Sequence, residues 1–268
     1  MTSPARPSLL SRTAQLFAAQ ARVYCLSALV AGTVGIAALT AISVSMVSSV
    51  GNGEFDAVAI WRSMSGFRQL ITILSMILGL WTPILLAARG VCRITTIQLL
   101  GQPVSLSNVL RDMARFIPAS LIYALVIGFP MMIGTSILIL PGIVATSIFA
   151  LVVPTSTNEQ LGIFAALRRG ISLGMRVFGR SLLLALGSCA VLIVLIICRI
   201  ALVDRLIPST HTYLFAIRFG LTYIPALLVL ILANISFTLL YHDARALDAP
   251  ALPPPPAGGP ENQVRSRV

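Results

Sequence analysis

Residues 117–153 read IPASLIYALVIGFPMMIGTSILILPGIVATSIFALVV, 37 consecutive positions whose only ionisable side chain is the phenol of Tyr123. At a rise of about 1.5 Å per residue, the stretch makes ~55 Å of helix, roughly two crossings of a bilayer core with nothing spare for a turn. Proline ends helices and glycine tolerates turn conformations, so Pro141-Gly142 is the expected breaker. The second arm, residues 142–153, is then short and either crosses fully or re-enters. In both cases the chain leaves on the side it entered.

The sequence on either side has the same character. Further uncharged or nearly uncharged runs cover residues 24–47, 69–88, 181–203 and 219–241, the third being broken near its end by Arg199. A helical span needs about 20 residues, so the fold class is all-α: a polytopic transmembrane helix bundle of about six spans. Composition agrees. Of 268 residues 57% are hydrophobic and 10% charged, where a soluble domain carries about 25% charged residues; mean hydropathy is +0.95. A disordered chain, a disulfide scaffold, a nucleic-acid-binding domain and a large soluble catalytic domain are excluded on these grounds.

All 19 cationic residues are arginine, a usage that fits a GC-rich genome. Fourteen lie in the N-terminal segment, residues 89–116, residues 159–180 and the tail, against five on the other side (Arg62, Arg68, Arg199, Arg205, Arg218). The asymmetry places both termini in the cytoplasm, and the arginines suit anionic headgroups on that side. The expected localisation is the bacterial cytoplasmic (inner) membrane, without a cleaved signal peptide. The arginine-bearing segments are too polar to span and are expected as interfacial amphipathic helices at 9–23, 106–116 and 159–180. In the last, Phe164, Leu167, Ile171, Met175 and Phe178 recur at spacings of three and four, with Arg169, Ser172, Arg176 and Arg180 on another face. Ser156 followed by Glu159 fits a capping box that puts Glu159 in the first turn. Each amphipathic piece precedes an outward span, which suggests a threefold repeat. Residues 1–246 form the membrane domain, and 247–268, with Pro253 to Pro256, read as a disordered tail.

Ionisable groups inside a membrane are functional candidates by default, and the apolar cores hold no Asp, Glu, Lys or His. Asn234, with Ser236 and Thr238 nearby, is the most polar spot of the last span and reads as an interhelical hydrogen-bonding residue. Cys25, Cys92, Cys189 and Cys198 lack metal-ligand spacing and read as small hydrophobes. His211 and His242 lack catalytic partners. No catalytic, cofactor-binding or metal-binding residue is expected, and no cofactor.

Several short motifs carry a resemblance. They are Pro141-Gly142-Ile143, Pro154 followed by Glu159, the run Ala165-Ala166-Leu167-Arg168-Arg169-Gly170, and Leu240-Tyr241-His242-Asp243-Ala244-Arg245. With these the chain resembles, over most of residues 10–246, the six-span membrane-domain family named after bacterial glycerophosphoryl diester phosphodiesterase. Gly170 stands where that family has serine and His242 where it has tyrosine. The catalytic barrel of the namesake is absent, so the resemblance implies a membrane domain without its enzymatic activity.

The expected function is therefore a non-catalytic integral membrane protein, a scaffold, anchor or regulatory module; the alternative is a transporter or lipid-handling protein. Expected partners are the anionic lipid surface and a membrane or cytoplasmic protein, not nucleic acid. Tyr241 and Arg245, four apart, share a helix face, whereas Asp243 points elsewhere. It is expected to clamp the last span to Arg168, Arg169 or Arg176.

Overall fold

The structure is a computed structural model that describes residues 8–47, 65–137, 139–159, 161–198 and 212–248. Among these every element is helical: α1 (Leu9–Val47), α2 (Gly66–Leu99), α3 (Leu106–Tyr123), a π-turn (Ala124–Gly128), α4 (Phe129–Ile137), α5 (Ile139–Phe149), α6 (Val152–Asn158), α7 (Ile163–Arg176), α8 (Phe178–Cys198) and α9 (Thr212–Asp248). Six segments among the described residues are long and apolar enough to cross a membrane: Leu9–Thr33, Gly66–Leu99, Leu106–Met131, Leu140–Asn158, Phe178–Cys198 and Pro225–Leu247. The protein is an all-α, multi-pass membrane protein. The segments around Arg62, Arg199, Arg205 and His211, and the Pro-rich tail beyond Asp248, lie outside the described residues.

The helices close into a ring. α1 packs on α2, α2 on α3, α4 on α5, α5 on α8, α8 on α9, and α9 returns to α1; α2 also meets α6 and α9, so it carries the centre. The main core joins Tyr24, Ala28, Leu86, Val91, Ile94, Val109, Phe116, Ile127, Val152 and Ile235 from α1, α2, α3, the π-turn, α6 and α9. Gly35 on α1 makes room for the Pro83 ring of α2: a Cβ there would lie 2.6 Å from Pro83 Cγ.

The structure moves several expected boundaries. The 37-residue stretch does turn back on itself, but not at Pro141-Gly142. Both residues lie inside α5, with Pro141 in its first turn, where a missing amide costs no hydrogen bond. The two arms pack on each other as α4 (Phe129–Ile137) and α5 (Ile139–Phe149). Gly142 is buried, and its backbone approaches Gly134 so closely that a Cβ on Gly134 would sit 3.0 Å from Gly142 N. The second arm is not limited to residues 142–153, because the polar Pro154–Asn158 segment stays helical and completes a 19-residue candidate span.

Segment 106–116 is not a separate interfacial helix, whereas the N-terminal segment is set off from its span by a kink. Residues 106–116 are the continuous lower end of α3, because nothing at residue 116 breaks the backbone, but α1 is two helical stretches that meet at a kink at Gln20 (φ −140°, ψ 30°), just before the expected boundary at residue 23. Residues 89–99 likewise prolong α2 without a break. That helix ends in a Schellman motif: Gly101 has φ +68°, its amide bonds the Gln98 carbonyl at 2.9 Å, and the Gln102 amide bonds the Ile97 carbonyl at 3.1 Å. A left-handed residue at this position favours glycine, and Pro103 prevents resumption. The π-turn lies ahead of Pro130, whose missing amide leaves the carbonyl of Val126 without its helical partner.

Residues 163–176 form a distinct amphipathic helix, bounded by Gly162 and Val177. Its inward face is built mostly of small residues. Ala166, Gly170, Leu173 and Gly174 are buried, whereas Phe164 is 73% and Met175 56% exposed. The small residues let α7 touch backbone. A Cβ on Gly170 would lie 2.6 Å from Val152 Cα, and one on Gly174 2.5 Å from the Ile148 carbonyl oxygen. This is small-xxx-small packing, in which the large side chains are left to face outward.

Candidate functional site

The charges gather at one end of the bundle, where α1, α3 and α7 begin and α2, α6 and α9 end. Each of the three carboxylates whose side chain is described, Asp112, Glu159 and Asp243, pairs with an arginine from another helix. Charged groups are costly inside hydrocarbon, and pairing lowers that cost.

Arg89 is the most engaged of the arginines. Its Nε and Nη2 donate to Asp112 Oδ2 and Oδ1 at 2.8 and 3.1 Å, the planar two-pronged geometry that suits a guanidinium and a carboxylate. Nη1 donates to the Ser156 carbonyl at 2.9 Å. The guanidinium also sits 4.6 Å from the centre of the Phe116 ring, a favourable cation–π placement. One side chain thus ties α2, α3 and α6 together while remaining only 13% exposed. Sequence reading counted Arg89 as a topology charge and passed over Asp112. The available signal was Asp112 among apolar residues at positions 109, 110, 113 and 116, the inward stripe of an amphipathic helix.

The second knot joins α6, α7 and α9. Glu159 Oε1 accepts a hydrogen bond from the buried Tyr241 hydroxyl at 2.9 Å, and Glu159 Oε2 lies 3.6 Å from Arg169 Nε. Arg245 also reaches Tyr241 and lines, with Asn158, Glu159 and Arg169, an open polar recess of about 430 Å³. The expected shared face of Tyr241 and Arg245 is therefore present. The capping box is not. Ser156 donates back to the Val153 carbonyl at 2.9 Å, Glu159 follows the last turn of α6, and α7 begins at Ile163 behind Gly162 with no side-chain cap. The two intervening helix ends place Glu159 as a tether rather than a cap.

The third pair corrects the expected clamp. Asp243 does not meet Arg168, Arg169 or Arg176; it meets Arg12 of α1 at 3.4 Å. The stretch of α1 ahead of the kink at Gln20 carries Arg12 to α9. Arg168 is exposed, and Arg176, also exposed, closes the last turn of α7, where a cation complements the helix dipole.

Neutral hydrogen bonds complete this end. The Tyr24 hydroxyl donates to Gln98 Oε1 at 2.8 Å and lies 2.9 Å from Thr95 Oγ1. Thr13 and Ser236 join α1 to α9 at 3.1 Å, and Thr238 donates to Cys92 Sγ at 3.1 Å. His242 Nε2 lies 3.5 Å from the Thr96 hydroxyl. Asn234 was expected to bridge helices; instead its amide donates to the Leu230 carbonyl of its own helix at 2.8 Å, because that acceptor lies one turn back. Its neighbours Ser236 and Thr238 make the interhelical bonds. Pro154 is buried in α6 and its carbonyl accepts from Asn158 at 2.8 Å.

The other notable recess is apolar. A cleft of about 1300 Å³ opens between α1, α8 and α9, with Arg12, Asp243 and Arg180 at its charged end. Cys25, Cys92, Cys189 and Cys198 are free thiols, and among the described residues no three metal-ligating side chains come together. No family model, no curated protein and no solved structure matches the chain.

Proposed function

We propose that the protein is a non-catalytic module of the bacterial cytoplasmic membrane, a scaffold, anchor or regulatory unit, related to the six-span membrane domain that its motifs resemble. The observation that carries this reading is the use made of its carboxylates. Asp112, Glu159 and Asp243 each bond an arginine across a helix–helix boundary. Groups engaged in this way hold the bundle together and are poorly placed to shuttle protons or bind a coupling ion. The paired end also offers a cytoplasmic face rich in arginine, suited to anionic lipid or to an acidic partner. A lipid-handling role is the second reading, favoured by the cleft between α1, α8 and α9.

A liposome assay separates the two. Reconstituted with fluorescent phospholipid, a scaffold leaves transbilayer exchange at the rate of protein-free vesicles. Exchange several-fold faster would replace the scaffold by the lipid-handling reading.

Threading is tested independently. In a background with the four native cysteines replaced by serine, single cysteines at Arg111 and Arg168, both exposed, should react only with reagent that reaches the cytoplasm, and one at Asn52 only from outside. Labelling of the position-168 cysteine from outside would overturn the orientation.

A further inference from the structure

The cleft between α1, α8 and α9 differs from the rest of the bundle in shape and in charge. Its walls are apolar, with Leu184 and Val191 from α8 facing Val229 and Leu232 from α9. α8 leans on α5 and α9, and the cleft is the space it leaves beside α1. One end is polar. Arg12 and Asp243 pair there and cancel, whereas Arg180 pairs with none of the carboxylates whose side chains are described. The polar end thus carries one net positive charge, and it lies at the bundle end that holds the arginine-rich helix termini.

Gly187 sharpens the picture. It lines the cleft, and a Cβ added to it would meet nothing within 4 Å. No close helix contact requires a glycine at this position, and glycine inside a helix costs about 1 kcal/mol relative to alanine. What the missing side chain does provide is room.

The dimensions choose the occupant. A helix about 11 Å across rising ~1.5 Å per residue fills ~140 Å³ per residue, so the cleft would take roughly nine residues, under half a span. A drug-sized ligand needs about 300–1,000 Å³, less than the cleft offers. Acyl chains are thin, flexible and apolar, and they match the apolar walls of the cleft.

We propose that this cleft is a binding site for a single anionic glycerophospholipid, its acyl chain along α8 and α9 past Gly187 and its phosphate on Arg180. Arg180 stands in the first turn of α8, where helix amides and the guanidinium both favour an anion. The Arg12–Asp243 pair borders the headgroup and closes the α1 side. The site stands whether the bundle acts as a scaffold or moves lipid, so the liposome result above does not decide it.

Native mass spectrometry of the full chain, released from detergent with equal phosphatidylglycerol and phosphatidylethanolamine, tests the proposal. The wild type should retain phosphatidylglycerol about tenfold better than phosphatidylethanolamine, because both offer a phosphate to Arg180 but the ethanolamine ammonium offsets that charge and is repelled by the net positive end of the cleft. Arg180→Gln should bring the two to the same level. Gly187→Phe should abolish retention of both, whereas Gly179→Phe should retain lipid as the wild type does, since Gly179 is equally open but lies off the cleft. If Gly187→Phe does not accumulate, Val191→Trp, at a lining position 48% exposed, takes its place with the same expectation. Equal retention of the two lipids by the wild type, or undiminished retention in the cleft-filling variant, overturns the site.

Discussion

Arg89→Ala should lower the stability of the detergent-solubilised protein by about 3 kcal/mol, at the lower end of the range for breaking a buried ion pair because Asp112 keeps 27% exposure. The loss has three parts: the two-pronged contact with Asp112, the bond to the Ser156 carbonyl, and the placement over Phe116. Most of the cost is the carboxylate left without its partner among α2, α3 and α6. Two further variants locate it there. Arg89→Lys should restore little, since an ammonium cannot reproduce the fork. Asp112→Asn placed in the Arg89→Ala background should recover part of the loss, giving a coupling well above the error of a double-mutant cycle. A change within about 0.5 kcal/mol for Arg89→Ala, the level of ordinary surface substitutions, would show that Arg89 is only a topology charge.

A comparable loss is expected for Gly174→Leu and Gly170→Leu, about 3 kcal/mol each, the upper part of the usual range for overpacking. Overpacking is tolerated when a flexible side chain can swing away, but here the obstacle is backbone: the Ile148 carbonyl at 2.5 Å from the new Cβ in one case and Val152 Cα at 2.6 Å in the other. α7 would have to move off α5 and α6. The expected readout is loss of the monodisperse peak in size-exclusion chromatography and reduced abundance in the membrane. Gly179→Ala, on α8 with open space around it, serves as the counterpart. It should leave the peak unchanged or raise the unfolding midpoint, as helix propensity dictates. If Gly174→Leu accumulates like the wild type, the close packing of α7 is refuted.

These two predictions rest on features that sequence reading approached and then missed, for reasons that can be traced. In 163–176 the sequence shows an apolar face and an arginine face but not which residues pack on the bundle; in water, burial of Phe164 and Met175 would be the driving force. In a membrane the surroundings are as apolar as the core, and what drives helices together is close approach. Gly170 and Gly174 then face in and Phe164 faces out. The same segment shows why Glu159 was misplaced. Its spacing from Ser156 fits a cap, but α6 runs on to Asn158, so the carboxylate was free to reach Tyr241, 82 positions away in sequence.

The class of the protein was decided by sequence alone. Crossing a bilayer demands long apolar helices, and the uncharged runs, the all-arginine flanks and the 37-residue stretch meet that demand position by position without reference to one another. The signal is local, so it is readable along the chain. Even the end of α2 was written locally, in Gly101 and Pro103, though it was overlooked in favour of the charge pattern.

Which groups meet was decided only by the tertiary structure. Arg12 finds Asp243, Arg89 finds Asp112 and Ser156, and Glu159 finds both Tyr241 and Arg169. A single arginine has several acidic partners open to it, and the choice depends on where α1 bends, where α2 ends and how closely α7 approaches. The cleft has the same origin, since no residue of α8 encodes a gap by itself. It arises because α8 packs on α5 and α9, and the space left beside α1 is a property of three helices at once.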